Sequence, residues 1–262
     1  MGLVRVVESN RASLEPGIVA LEAGAEYPLG ADFFKIDHGA DYLAFFRRLG
    51  DVHYYAWLEG EGVAAVAAGI LRATPAGRAW YLCDLKVRRE SRGSRIPLKM
   101  LRGAFLWNYL RCARGYAISM NPSDGSPNRI ARLLKHFRWA PARIAGELSL
   151  WSLSAAEMRI ALPALARARG EVSFLSLGGV KDIVLRSTGA PMRLLHAQFG
   201  PLAEHTGPRE PVEGAVHMFC APRGDALGSE LAALGFVPSA TATIIAHRME
   251  RSDWRWVLTS EI

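Results

Sequence analysis

A chain of 262 residues is long enough for one large domain or two small ones, each with a sizeable core. Half of its residues are hydrophobic and 22% are charged, a globular balance that excludes a disordered or fibrous chain, while the formal charge of +7 favours an anionic partner without naming one. Cys83, Cys112 and Cys220 stand far apart, with neither CxxC nor Cys/His spacing, which argues against a disulfide framework or a zinc site.

The opening residues, MGLVRVVESNR, lack the uninterrupted apolar run of a signal peptide, and no later run reaches membrane-spanning length. The expectation is a soluble cytoplasmic protein. Leu3 to Glu8 alternates and predicts a first strand, whereas Asn10 to Asp37 is mixed, with Gly and Pro at intervals, and predicts loop and short helix. Asp41 to Leu49 sets Leu43, Phe46 and Leu49 on one helical face, and Gly50 stops it. Two strands follow, Val52 to Leu58 and Val63 to Ala73, joined by the hairpin signal Glu59 to Gly62. The turn Thr74 to Arg78 then leads into a further strand.

That strand opens the most informative stretch. Trp80 to Val87 is a dense apolar run of strand length, Arg88 to Arg95 is basic around Gly93, and from Ile96 onward Leu98, Leu101, Phe105 and Tyr109 recur at helical spacing. A strand, a basic glycine turn and a helix present unpaired backbone N–H groups where the helix dipole favours a phosphate. Arg92 and Arg95 add positive charge, and Pro97 fits a first helical turn. Leu85, Val87 and the run VRRESRGSRIP (87–97) resemble the acyl-CoA motif of the GNAT superfamily of N-acyltransferases, a strand carrying L-x-V followed by R/Q-x-x-G-x-G/A and a helix. The resemblance implies that backbone at Leu85 and Val87 pairs with pantetheine, and that the turn of Arg92, Gly93, Ser94, Arg95 and Ile96 holds the pyrophosphate. Arg95 and Pro97 depart from the family pattern, which has glycine and then glycine or alanine, so a side chain enters the turn and one donor is lost.

Beyond Gly115, Tyr116 to Met120 predicts a strand parallel to Trp80 to Val87, because a helix intervenes. Asn121 to Asn128 is rich in turn residues and leads to a helix at Arg129 to Phe137 and a strand pair from Arg143 to Leu153, with HFRWAP resembling the family's exit. Ser154 to Gly170 predicts a helical connector interrupted at Pro163. Short strands are predicted at Val172 to Leu177, Asp182 to Ser187, Met192 to Phe199 and Ala215 to Cys220, then a helix at Gly228 to Leu234 and a closing hairpin at Gly235 to Met249. Phe236 and Pro238 repeat the spacing of Trp139 and Pro141. The expected fold class is therefore α/β (α+β), a GNAT-like mixed sheet flanked by helices over residues 1–155, a connector over 156–171 and a truncated GNAT-like copy over 172–262 without a phosphate turn.

Acyl transfer to an amine needs a base and donors for the oxyanion. Asp84, in the apolar strand, is the candidate base, with a salt bridge to Lys86 as its alternative role; Tyr81 and Glu147 are weaker candidates. Asn121 either bonds pantetheine or substrate, or shapes the Asn-Pro turn. The place of the family's tyrosine acid falls on Leu134 or Lys135. Seven scattered histidines lack metal-binding spacing, and no metal is expected. The resemblance implies an N-acyltransferase moving an acyl group from acetyl-CoA or another acyl-CoA, or from an acyl carrier protein, to a small-molecule or peptide amine by direct attack. The apolar content is compatible with a homodimer. The alternative is a catalytically inactive GNAT-fold binding or assembly protein; nucleic-acid binding lacks an RNP or zinc-finger pattern.

Overall fold

The middle of the main sheet is filled by a strand from the far end of the chain. In the computed structural model, which describes residues 2–29, 32–60, 62–124, 126–136 and 141–262, the elements run β1 (Gly2–Arg5), α1 (Glu8–Ala23), β2 (Tyr27–Leu29), β3 (Asp32–Asp37), α2 (Ala44–Leu49), β4 (Asp51–Glu59), β5 (Gly62–Thr74), β6 (Gly77–Val87), α3 (Ile96–Arg111), β7 (Gly115–Met120), α4 (Arg129–His136), β8 (Arg143–Ser154), α5 (Ala155–Arg169), β9 (Ser173–Ser176), β10 (Asp182–Leu185), β11 (Leu194–Gln198), β12 (Val216–Pro222), α6 (Ala226–Ala233) and β13 (Ala240–His247). Ten strands form one sheet in the order β1-β4-β5-β6-β7-β13-β8-β12-β11-β9, and β10-β3-β2 form a small second sheet. β13 pairs antiparallel with β7 on one side and β8 on the other.

Alternation along these strands sorts side chains onto two faces. Tyr54, Ala56, Ile70, Tyr81, Tyr116, Leu148, Leu150 and Ile244 form one apolar cluster with Ile18 of α1, Phe45 and Phe46 of α2, and Trp254 and Trp256 of the C-terminal tail. On the opposite face Trp151, Leu153 and Phe219 pack against Met158 and Leu165 of α5 and Leu227 and Leu231 of α6. At the other end of that face, Ile96 and Met100 seat α3 on Ala65, Tyr55 and Trp57.

Several sequence expectations change. The first strand ends at Arg5, and Glu8 begins a 16-residue helix, longer than the short helix expected within Asn10 to Asp37. Pro16 inside it and Pro163 inside α5 do not stop either helix, because an apolar face packed on the sheet outweighs one missing hydrogen bond. The hairpin at Glu59 to Gly62 forms, but the strand pair expected at Arg143 to Leu153 and the closing hairpin expected at Gly235 to Met249 do not: 143–154 and 240–247 are single strands that pair with each other rather than folding back locally. On α3 the buried line is Ile96 and Met100, while the predicted core residues Leu98 and Leu101 are exposed. Gly103 explains the rotation, since a Cβ there would meet Leu3 at 2.8 Å. Phe137, Arg138 and Trp139, part of the predicted exit, lie outside the described residues.

Candidate functional site

The site grows from one extra residue in β6. Val66 opposes Lys86 and Ala68 opposes Cys83, so three steps on β6 match two on β5, and Asp84 absorbs the excess in a left-handed conformation at φ 55°. Such a bulge bends and twists its strand. β6 accordingly runs beside β7 only at Trp80/Gly115 and Tyr81/Tyr116, then parts from it. From Leu82 to Val87 that edge of β6 has no strand partner among the described residues, and Leu82 and Leu85 are exposed there.

The opened strand leads directly into the basic turn. Arg92, Gly93, Ser94 and Arg95 are exposed, Val87 packs on the α3 contact, and Ile96 is fully buried, fixing the helix start. Gly93 at φ 94° and Arg95 at φ 57° both take left-handed backbone. For Arg95, a residue with a side chain, that costs roughly 1–2 kcal/mol, in a position where the family resemblance expects glycine. The amides of Gly93, Arg95 and Ile96 find no backbone acceptor among the described residues. The seven cofactor-site residues expected from sequence thus lie along one path, from the free strand edge to the helix N-terminus.

Beneath the bulge, on the α1/α2 face, lies a buried polar cluster that sequence reading glimpsed only at Asp84 and Lys86. Lys86 forms ion pairs with Asp84 Oδ1 and, at 2.5 Å, with Glu22 Oε2 of α1. The Tyr42 hydroxyl lies 2.9 Å from both Glu22 Oε2 and Asp84 Oδ2, so its single proton is shared between two acceptors, and the Tyr54 hydroxyl also donates to Asp84 Oδ2. His38 Nε2 stands 3.6 Å from Glu22 Oε2. Both Asp84 oxygens are therefore engaged. Burial, followed by the charge of Asp84, pushes the Tyr42 and Tyr54 phenols well above their ordinary value, so both remain hydroxyl donors. Burial pushes the Tyr27 phenol up to about 12.

Glu22 was missed because 10–37 reads as mixed, yet it continues the α1 stripe of Leu14 and Ile18; an acid on an apolar helical face was the available signal. Burial raises its pKa, but the nearby His38 imidazole and the charge of Lys86 win and hold it at about 2. A carboxylate lowered from 4.5 to about 2 stabilises the fold above its unfolded value and loses that stabilisation as pH falls through the folded one. We expect a stability loss of about 3 kcal/mol between the two values. Urea midpoints measured across that range should fall less in Glu22→Gln than in the parent protein.

Glu22, His38 and Asp84 bring ligand atoms within 4.8 Å of one another, a spacing that could hold a metal ion. Lys86 already neutralises both carboxylates there. The second half of the chain reaches the same core through Lys181, which donates to the Ile262 carbonyl oxygen and sits 4.4 Å over the Phe45 ring. Burial pushes its ammonium down to about 8.

The other predicted site residue, Asn121, is not part of this cluster. Its amide donates to Thr241 Oγ1 at 2.9 Å, and its oxygen accepts from Thr243 Oγ1 and Asn128 Nδ2 at 2.7 and 2.8 Å. Asn128 in turn caps α4 by accepting from the Ala131 amide. Asn121 thus locks the end of β7 to β13 and α4. Tyr81 stacks on Tyr116 in the core, and Glu147 pairs with Arg223 on the surface. The side chain of Lys135 lies outside the described residues, and Leu134, on α4, is half-buried.

No protein-family model and no curated protein matches the sequence. Among solved structures, the chain is similar to a tandem GNAT protein from the clavulanic acid biosynthesis pathway at 11% identity and a TM-score of 0.51, covering 94% of this chain and 97% of that one. It is also similar to a probable N-acyltransferase from Enterococcus faecalis V583, at 9% identity over 94% of this chain and 71% of that one with a TM-score of 0.43, and to an IAA acetyltransferase from Bacillus cereus ATCC 14579, at 16% identity over 56% and 79% with a TM-score of 0.36. The fold is that of a tandem GNAT protein.

Proposed function

We propose that the protein is an acyl-CoA-dependent N-acyltransferase whose donor lies along the unpaired edge of β6 and ends at the turn 92–96. The parting of β6 from β7 after Tyr81 carries this reading, because among the described residues it leaves Leu85 and Val87 without a strand partner on that edge, beside the arginines of the turn and amides that have no backbone acceptor. Extended pantetheine can use the first set as a strand would, and a pyrophosphate the second. The amine acceptor attacks the thioester carbonyl from the α1/α2 face, the C–S bond breaks to release the CoA thiolate, the amine proton leaves to Asp84 or water, and the thiolate takes up a proton from solvent to depart as free CoA. Asp84 can accept it only as its pair with Lys86 opens.

That last condition favours a second reading. With both oxygens of Asp84 engaged by Lys86 and two tyrosines, the same fold can bind the donor without turning it over. Calorimetric titration with acetyl-CoA and a longer acyl-CoA tests the donor site. Loss of two charge-assisted contacts in Arg92→Ala/Arg95→Ala should weaken binding by roughly tenfold to a hundredfold. Absence of binding to either donor at millimolar concentration overturns acyl-CoA dependence. Binding without thiol release across an amine panel selects the second reading.

A further inference from the structure

The net charge of this chain is concentrated in one place. Residues Arg88 to Arg114 hold eight basic side chains against the single acid Glu90, a formal +7 that equals the charge of the whole protein. Arg88 pairs with Glu59 and Glu90, and Arg111 with Asp51. Arg92, Arg95, Lys99 and Arg102 are exposed and form no ion pair among the described residues.

The same segment carries apolar side chains that the fold does not cover. Leu106, Trp107 and Leu110 of α3 are 62%, 75% and 71% exposed, and their spacing makes them neighbours on the helix surface. Leu98 and Leu101 are also exposed. Isolated exposed leucines are ordinary, but a contiguous apolar patch beside unpaired cations is not. At three-quarters exposure Trp107 protrudes rather than lining a groove, which suits insertion into a deformable interface. A second copy of this chain would bring one +7 segment against another, which disfavours self-association through this face.

We propose that α3 docks the protein onto an anionic lipid-bilayer surface. Leu106, Trp107 and Leu110 enter the headgroup and acyl boundary, while Lys99, Arg102 and the neighbouring arginines meet anionic headgroups. Attachment is peripheral: no helix among the described residues is long and apolar enough to cross a membrane. The inference does not depend on acyl transfer, since its apolar anchor lies at the end of α3 away from the turn 92–96.

The test is co-sedimentation of the full chain with vesicles of phosphatidylcholine alone or with about 30% phosphatidylglycerol, at low and high salt. The expected result is at least roughly tenfold stronger partitioning to the anionic vesicles, weakened by salt. Trp107→Ala/Leu110→Ala should lower partitioning by roughly tenfold or more with an unchanged far-UV spectrum, and Arg102→Glu should reduce the preference for anionic vesicles. No sedimentation of the parent with anionic vesicles, or equal binding by the double variant, overturns the proposal. So does a lipid-independent oligomer of the parent that the double variant abolishes, which would assign the face to a protein contact.

Discussion

Lys86→Met is expected to destabilise the fold by about 3–5 kcal/mol, the usual effect of removing one partner from a buried ion pair. The ammonium is buried between Glu22 and Asp84, and the charges of Asp84 and other neighbours outweigh its desolvation and raise its pKa well above the ordinary value. Methionine keeps the length of the side chain but leaves two buried carboxylates facing each other. For a chain of this size such a loss lowers the melting temperature by roughly 10 °C. The triple variant Lys86→Met/Glu22→Gln/Asp84→Asn removes the stranded charges and should recover a substantial part. Thermal denaturation of the parent, single and triple variants decides: if Lys86→Met melts with the parent, the cluster does not hold this face together. An accompanying change in turnover would bear on Asp84, since the substitution also frees one of its oxygens.

A fragment ending at residue 155 is expected not to fold into a working half. The sequence boundary is natural, because α5 begins there, but β7 and β8 do not pair with each other in the intact sheet. Each pairs with β13, which comes from residues 240–247. Cutting at 155 therefore removes the partner of two strands and leaves Tyr116, Ile118 and Leu148 without the packing of Ile244, Trp254 and Trp256. Unpaired strand edges of this kind drive aggregation. Expression of 1–155 alone should give insoluble or molten protein without dispersed amide resonances. Co-expression with 156–262 should restore a soluble complex. A monomeric, well-dispersed 1–155 would refute the interdependence.

Much of the first half was legible because its signals are local. The hairpin at Glu59 to Gly62, the strand-turn-helix from Trp80 and the turn at Thr74 depend on neighbours in sequence, and β4, β5, β6 and α3 fall within a few residues of their predicted ranges. What failed was non-local. Nothing in Arg143 to Leu153 or Gly235 to Met249 distinguishes a strand that turns back on itself from one that pairs with a segment about a hundred residues away. The candidate site divides in the same way: Leu85, Val87 and the turn residues were readable from a motif, whereas Glu22, His38, Tyr42 and Tyr54 join Asp84 only through packing. Asn121 was named from its position in the chain, and its hydrogen bonds go to Thr241, Thr243 and Asn128, residues whose proximity only the sheet order reveals.

The position of β13 also sets a schedule for synthesis. It is the last of the described strands in chain order, yet it occupies the interior of the sheet. Strands made earlier must wait with the slot between β7 and β8 open until residues 240–247 become available. Closure of so long a loop is slow relative to local hairpin formation. The waiting intermediate exposes two strand edges, so yield in cells should depend on how quickly residues 240–247 are delivered and on holdase chaperones that shield the gap.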